Sequence, residues 1–383
     1  MRWDNLRLDD QLAADQDADG GETLFPAERR DVALPLIERG AVARTFDTPG
    51  FRGMTFYEVQ AKSVVNRVPE ASRMPFRWTI NPYRGCQHAC VYCYARQSHS
   101  YLELDSGADF DTKVVVKVNA PELVRKKMAS PGWSGEHIAM GTNVDCYQRG
   151  EGRYRLMPGI IGALKDAANP FSILTKGTLI LRDIDLLAEA AEVTDVGLNV
   201  SAGFVDKELW RSVEPGTPAP ARRLEACAAL NERGLRCGVL MGPVVPFLSD
   251  SPAQLDAAVS QIAATGATHV SPIVLHLRPG TREWFFRWLG AYHPGLVGRY
   301  LELYGRGAYA PKSYQARIAG QVRELAEKHG IGRPRPGYGH GRRPPPERPA
   351  PRAAGPLVGA PQPPAASEPV ALSPARSEQL TLL

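Results

Sequence analysis

Apolar runs of strand length recur along the middle of the chain: KVVVKV (113–118), HIAMGT (137–142), FSILTK (171–176), VGLNVS (196–201), CGVLMG (237–242) and HVSPIVLHL (269–277). Between them lie segments of helical pattern, APELVRKKMA, MPGIIGALKDAAN, RDIDLLAEAAE, APARRLEACAALNERG and SPAQLDAAVSQIAATG, several of which open on Pro and close on Gly or Asn, as helix ends favour. RWTINPYRG, further upstream, reads as a first short strand running into turn chemistry. Strand followed by helix, about seven times over, predicts an α/β fold with a parallel sheet, a partial or full (β/α) barrel. That is too large for a small redox module.

The flanks differ. Residues 1–48 mix acidic, Gly-containing and short apolar pieces without sustained period, which predicts a partly disordered segment with one helix near Val32 to Arg39. PGFRGMTFYEVQAKSVVNRVP then leads into a domain over residues 49–330. From residue 331 to 383 the composition shifts to Pro and Arg: 13 of the chain's 33 prolines follow residue 330, which excludes helix and sheet and predicts a disordered tail.

Charge has to be located before it is used. The chain carries +5, but the tail holds seven Lys or Arg against three Asp or Glu, so the body is close to neutral and gives no general basic face for duplex binding. A local patch at Arg222 and Arg223 would not show in such a total, so nucleic acid stays among the candidate partners. The N-terminal residues lack the layout of a secretory signal and no run reaches the length of a membrane span, so the expectation is a cytoplasmic protein with no membrane partner.

Six cysteines change the picture more. Three crowd into NPYRGCQHACVYCYAR, residues 81–96, as C-x3-C-x2-C at Cys86, Cys90 and Cys93, while Cys146, Cys227 and Cys237 stand singly. This is not the distributed framework of a secreted disulfide protein. Thiolates select zinc or iron-sulfur clusters. A structural zinc needs four ligands, and His88 or His99 leaves a Cys3His site open. Alternatively, three cysteines hold three irons of a 4Fe-4S cube and leave the fourth iron for something that is not protein.

C-x3-C-x2-C with Tyr92 immediately before the last cysteine resembles the signature of radical S-adenosylmethionine (SAM) enzymes. The larger frame NPYRGCQHACVYCYAR, followed by GTNVDCYQRGEGRY, SILTKGTLILRDIDLL, LNVSAGFVDKELWRSVEPGTPAPARRLEA and CGVLMGPVVPFLSD, is similar to the branch related to spore photoproduct lyase, over about residues 50 to 290. The resemblance implies a radical SAM barrel in which Cys86, Cys90 and Cys93 bind a 4Fe-4S cluster and SAM chelates its open iron. Reductive cleavage of SAM would then release a 5'-deoxyadenosyl radical that takes hydrogen from a substrate, with DNA lesion repair one candidate. A flavodoxin- or ferredoxin-type electron donor is implied as partner.

Barrel active sites form at the carboxyl ends of strands, where Thr142, Lys176, Ser201 and a Gly242-Pro243 turn are expected. By resemblance, Lys176 meets the SAM carboxylate, Ser201 makes a polar contact to the cofactor and Tyr92 packs beside the adenine. Their plain readings are a solvated lysine, a helix-entry serine and core filler. Asp145, Tyr147 and Glu151 resemble a D-x-Y-Q stretch that shapes the pocket. Cys146 departs from the family pattern, which more often has proline there; it is a candidate hydrogen-atom donor, and Tyr147 is grouped with it as catalytic, against the plain reading of Cys146 as a small buried hydrophobe. Cys227 and Cys237 read as core. QLTLL at the terminus (Gln379, Leu380, Leu382, Leu383) resembles a bacterial sliding-clamp-binding peptide. The alternative from another class is a non-catalytic zinc or iron-sulfur scaffold, or electron carrier, recruited through the tail.

Overall fold

The computed structural model describes Leu36, residues 40–69, Ser72 and residues 74–332. The predicted disorder of both ends, the helix near Val32 to Arg39 beyond Leu36, and the clamp-like peptide lie outside those residues.

Two sheets organise the described residues. The larger has the strands β3 (Val65–Arg67), β4 (Trp78–Ile80), β7 (Ile138–Met140), β8 (Phe171–Thr175), β9 (Val196–Ser201), β10 (Cys237–Val244) and β11 (Val270–Val274), in the order β11-β10-β9-β8-β7-β4-β3. The β3–β4 pair is antiparallel and all other neighbours are parallel. Among the described strands β11 pairs only with β10, so the sheet is open and the barrel partial. The smaller sheet has β1 (Val42–Arg44), β2 (Thr55–Val59), β5 (Tyr83–Arg84) and β6 (Lys113–Lys117), in the order β1-β2-β6-β5. KVVVKV is therefore a strand, as expected, but not one of the barrel: it pairs in parallel with Thr55–Val59 and antiparallel with Tyr83–Arg84. Six parallel barrel strands remain of the seven units that periodicity suggested.

The helices form where apolar stripes demand. Leu156–Asp166 buries Leu156, Met157, Ile160, Ile161, Ala163 and Leu164, a single face at helical spacing. Pro252–Ala264 begins with proline at its first turn and a reciprocal Ser251–Gln254 capping box. Lys312–His329, absent from the reading of the pattern, packs on Pro252–Ala264 and on β11.

Because the barrel strands are parallel, their carboxyl ends converge at one side, where β4 leads into the cysteine loop and β7 to β11 deliver residues 141–147, 176–177, 201–203, 242–245 and 275–276. Gly242 and Pro243 are not a turn, however: they belong to β10, whose register against β11 shifts between Met241 and Val244. Close approach is forced at Gly141, which has φ +77° and whose Cβ would stand 1.8 Å from the Leu174 carbonyl oxygen.

Candidate active site

A cavity of about 170 Å³ opens at this end. Cys86, Cys90 and Cys93 line it together with Tyr92, Thr142, Lys176 and Ser201, so the three thiols and four of the polar or aromatic residues expected at the site meet in one place. All three thiols are free, and burial raises each above its ordinary pKa.

The loop is held from several directions. Arg96, fully buried, donates through Nε and Nη2 to the Cys90 carbonyl at 3.2 and 3.0 Å, and its guanidinium also pairs with Asp111 at 2.9 Å. Burial lifts the Asp111 carboxyl to about 6 even against the pull of Arg96. Thr281 donates its hydroxyl to the Cys93 carbonyl at 2.9 Å. Gln148 accepts from the Gln87 amide at 3.0 Å and donates to the Gly85 carbonyl at 3.1 Å. On the far side, the Val91 amide donates to the Val213 carbonyl and the Gly216 amide to the His88 carbonyl, at 3.0 and 3.1 Å. A Cβ on Gly216 would stand 1.9 Å from the Gln87 carbonyl oxygen.

Asp145 is the hub between loop and barrel. Its carboxylate accepts from Thr175 Oγ1 and the Lys176 amide, both at 2.6 Å, and from the Tyr147 amide at 2.9 Å, and lies 3.3 Å from His88 Nδ1. Burial alone would raise its pKa, but His88 and these donors outweigh it and hold the carboxyl at about 2. The D-x-Y-Q stretch thus acquires roles: Asp145 and Gln148 buckle the cysteine loop to the strand ends. Glu151 faces the core instead, accepting from the Leu156 and Met157 amides, each at 3.0 Å, and from Arg182 at 2.7 Å.

A second buried charge stands behind Tyr92. Glu214 accepts from the Tyr92 hydroxyl and from Arg223, both of which are buried. Burial pushes Glu214 up, but Arg223, Lys176 and the Tyr92 hydroxyl more than offset it, so the carboxyl stays below its usual range. Arg223 also donates to the Ser201 carbonyl at 2.9 Å. The suggested Arg222–Arg223 basic patch is therefore corrected: Arg223 is consumed by the buried pair, and exposed Arg222 pairs with Glu225.

Lys176 and Ser201 share an acceptor. Lys176 Nζ lies 3.4 Å and Ser201 Oγ 3.1 Å from the Gly242 carbonyl oxygen, and the lysine ammonium sits 5.7 Å from the Tyr92 ring centre. A cation and a hydroxyl on the cavity wall suit a carboxylate. Cys146 and Tyr147 are elsewhere. Cys146 is wholly buried in the main core and does not line the cavity; the Tyr147 hydroxyl donates to Asp183 at 3.0 Å. Neither residue lines the cavity that holds the three loop thiols. His99, once open as a ligand, is buried with Nε2 against the Lys113 carbonyl at 2.8 Å. Cys227 and Cys237 are core, as expected.

The radical SAM superfamily model matches residues 80–255, from the end of β4 through the first turn of helix Pro252–Ala264. The chain belongs to the radical SAM superfamily. An uncharacterised protein of Mycobacterium tuberculosis is 51% identical over 299 residues, covering 78% of this chain and 88% of that protein. A second, of Methanocaldococcus jannaschii, is 31% identical over 50% of this chain and 69% of that protein. Among solved structures, spore photoproduct lyase complexed with dinucleoside spore photoproduct shares the fold at TM-score 0.56 and 12% identity, over 86% of this chain and 94% of that one. A variant of the same lyase with bound AdoMet and the dinucleoside gives the same values.

Superfamily membership implies SAM and a 4Fe-4S cluster, and the donor set of this radical SAM chain fits both: three free thiols on one loop, with Lys176, Ser201 and Thr142 across the same cavity. Sequence reasoning missed Glu214, the buried pairing of Arg223 with it, and the hydrogen bonds that gather at Asp145. Only Asp145 carried a local signal, its place three residues before Gln148 on the way out of a barrel strand.

Proposed function

We propose that this protein is a radical SAM enzyme that binds a 4Fe-4S cluster through Cys86, Cys90 and Cys93 and abstracts hydrogen from a substrate held at the cavity mouth. The observation that carries the reading is the meeting of three loop thiols with Lys176, Ser201 and Thr142 in one cavity at the carboxyl ends of parallel strands.

When bound, the cluster supplies the electron that splits the sulfonium of SAM and yields a 5'-deoxyadenosyl radical. The chain's part is to bind, orient and exclude water. Lys176 supplies the cation for the SAM carboxylate, with Ser201 beside it, both able to exchange the Gly242 carbonyl for that anion. Tyr92 presents its ring to the cavity with its hydroxyl anchored by Glu214, so the ring cannot swing away. Asp145 and Gln148 fix the cysteine loop against the strand ends, which sets the distance between thiols and Lys176. An electron donor of flavodoxin or ferredoxin type is required to reduce the site.

Anaerobic reconstitution followed by chemical reduction with SAM tests this. 5'-Deoxyadenosine is the expected product; an intact cluster that forms none with any reductant refutes the proposal, and a single zinc without labile sulfide points to the scaffold instead.

A further inference from the structure

The proposed chemistry needs an electron delivered to the thiol loop while SAM and substrate occupy the cavity on one side of it. A protein reductant therefore has to approach from the loop's other face. That face borders a second cavity, of about 690 Å³. His88, midway between Cys86 and Cys90 in the chain, lines both cavities, and the amide of Gly216 in the second wall donates to its carbonyl at 3.1 Å. The Val91 amide donates likewise to the Val213 carbonyl at 3.0 Å. The two cavities thus share the cysteine loop as a wall.

Charge on the second cavity has one sign. Arg149, Arg153 and Arg222 line it, and among the described lining residues there is no carboxylate. Each guanidinium is held in place. Arg149 Nη1 donates to the Gly50 carbonyl at 2.7 Å, and Arg153 lies over the Phe46 ring, 3.6 Å from its centre. Arg222 pairs with Glu225 at 2.5 Å, but the two side chains are 71% and 58% exposed, and a pair so solvated contributes little and exchanges readily for another carboxylate. Half-buried Phe51, Leu179 and Trp210 supply apolar surface in the same cavity. Trp210 Nε1 donates to Thr217 at 2.9 Å, which fixes the ring in the wall. Tryptophan and arginine around a small apolar patch are the composition of a protein-docking surface.

We infer that this cavity and its arginine rim are the docking site of an acidic one-electron carrier protein, whose carboxylates meet Arg153 and Arg222 and whose redox group comes to rest behind His88. Charge complementarity selects the sign of the partner and speeds its arrival. A tight site for a small anion would need converging buried donors, whereas Arg153 and Arg222 are exposed. At each docking the carrier loses one electron and the cysteine-held site gains it; no bond forms between the two proteins. The inference rests on the radical SAM reading of the cysteine loop.

The test uses the reconstituted full-length holoenzyme, held anaerobically. Binding of oxidised flavodoxin and of an oxidised 2Fe-2S ferredoxin is measured by isothermal titration calorimetry. In parallel, 5'-deoxyadenosine formation with SAM is driven by each reduced carrier and by dithionite. At least one carrier is expected to bind and to drive the reaction. The double variant Arg153→Gln with Arg222→Gln should weaken that binding about ten-fold, flatten its salt dependence and slow the carrier-driven rate, while the dithionite-driven rate stays. Arg233→Gln, which removes the same charge at the far end of the helix Pro220–Glu232, should change neither. Equal binding by the double variant and wild type, or an equal loss of rate with dithionite, overturns the docking site. Displacement of the carrier by millimolar inorganic phosphate at constant ionic strength marks a small-anion site and overturns it as well. Protein that makes 5'-deoxyadenosine with dithionite yet binds neither carrier overturns the docking site alone. Protein that binds a carrier through these arginines but makes no 5'-deoxyadenosine with any reductant overturns the radical reading and leaves the docking site standing.

Discussion

Replacing Asp145 by Asn removes one charge and changes almost no volume, yet it strikes the contact that joins the cysteine loop to the barrel. The carboxylate is 9% exposed and receives Thr175, the Lys176 and Tyr147 amides, and His88. Those partners depress its pKa from 3.8 to about 2, which corresponds to about 2 kcal/mol of preference for the ionised form in the folded protein. Asp145→Asn should therefore lose about 2 kcal/mol in urea unfolding of the reduced apoprotein at neutral pH, with unchanged m-value. The sign with pH is fixed: a carboxyl depressed on folding contributes its full stability above its unfolded value and loses it as pH falls through the folded one. The difference between wild type and Asp145→Asn should accordingly shrink between about pH 4 and about pH 2. Because Asp145 also places the Lys176 amide, the variant should bind SAM more weakly after reconstitution. A loss under about 0.5 kcal/mol, or a difference that grows on acidification, would refute the assignment of Asp145 as the buckle.

Cys86→Ala, Cys90→Ala and Cys93→Ala should each abolish the cluster's visible absorbance and all 5'-deoxyadenosine formation. Glu214→Ala leaves Arg223 as an uncompensated buried charge and should cost about 3 to 5 kcal/mol in chemical unfolding, whereas replacing both by apolar residues of similar size should recover much of that loss. Gly216→Ala drives a methyl into the Gln87 carbonyl and should lower iron and sulfide bound per chain, a distant substitution read out at the cluster loop. Cys146→Ala removes a thiol from the core, so it should reduce thermal stability but preserve 5'-deoxyadenosine formation in the absence of substrate; loss of that activity with intact cluster would return Cys146 to the site.

How far the sequence spoke can be followed residue by residue. Strand-length apolar runs located every parallel barrel strand after the first, since a strand that packs against helices must be apolar whatever its partner. The same logic misplaced Lys113–Lys117, because an apolar run records that a strand is buried and not which sheet buries it; its partners lie at Thr55–Val59 and Tyr83–Arg84. That Cys86, Cys90 and Cys93 share one loop followed from their spacing, and that Thr142, Lys176 and Ser201 share one cavity with them followed from the rule that parallel strands deliver their carboxyl ends to one side. Glu214 and Arg223 were not legible, for a buried ion pair looks in sequence like two ordinary surface charges. Cys146 was not placed by the sequence either way: it sits in the turn after β7, buried in the main core and outside the cavity lining.

The most direct measurement is iron, labile sulfide and 5'-deoxyadenosine determined together on anaerobically reconstituted, reduced protein with SAM. About four irons and four sulfides per chain with 5'-deoxyadenosine released is the predicted result. Stoichiometric zinc without sulfide, or a complete cluster that never cleaves SAM, would contradict it.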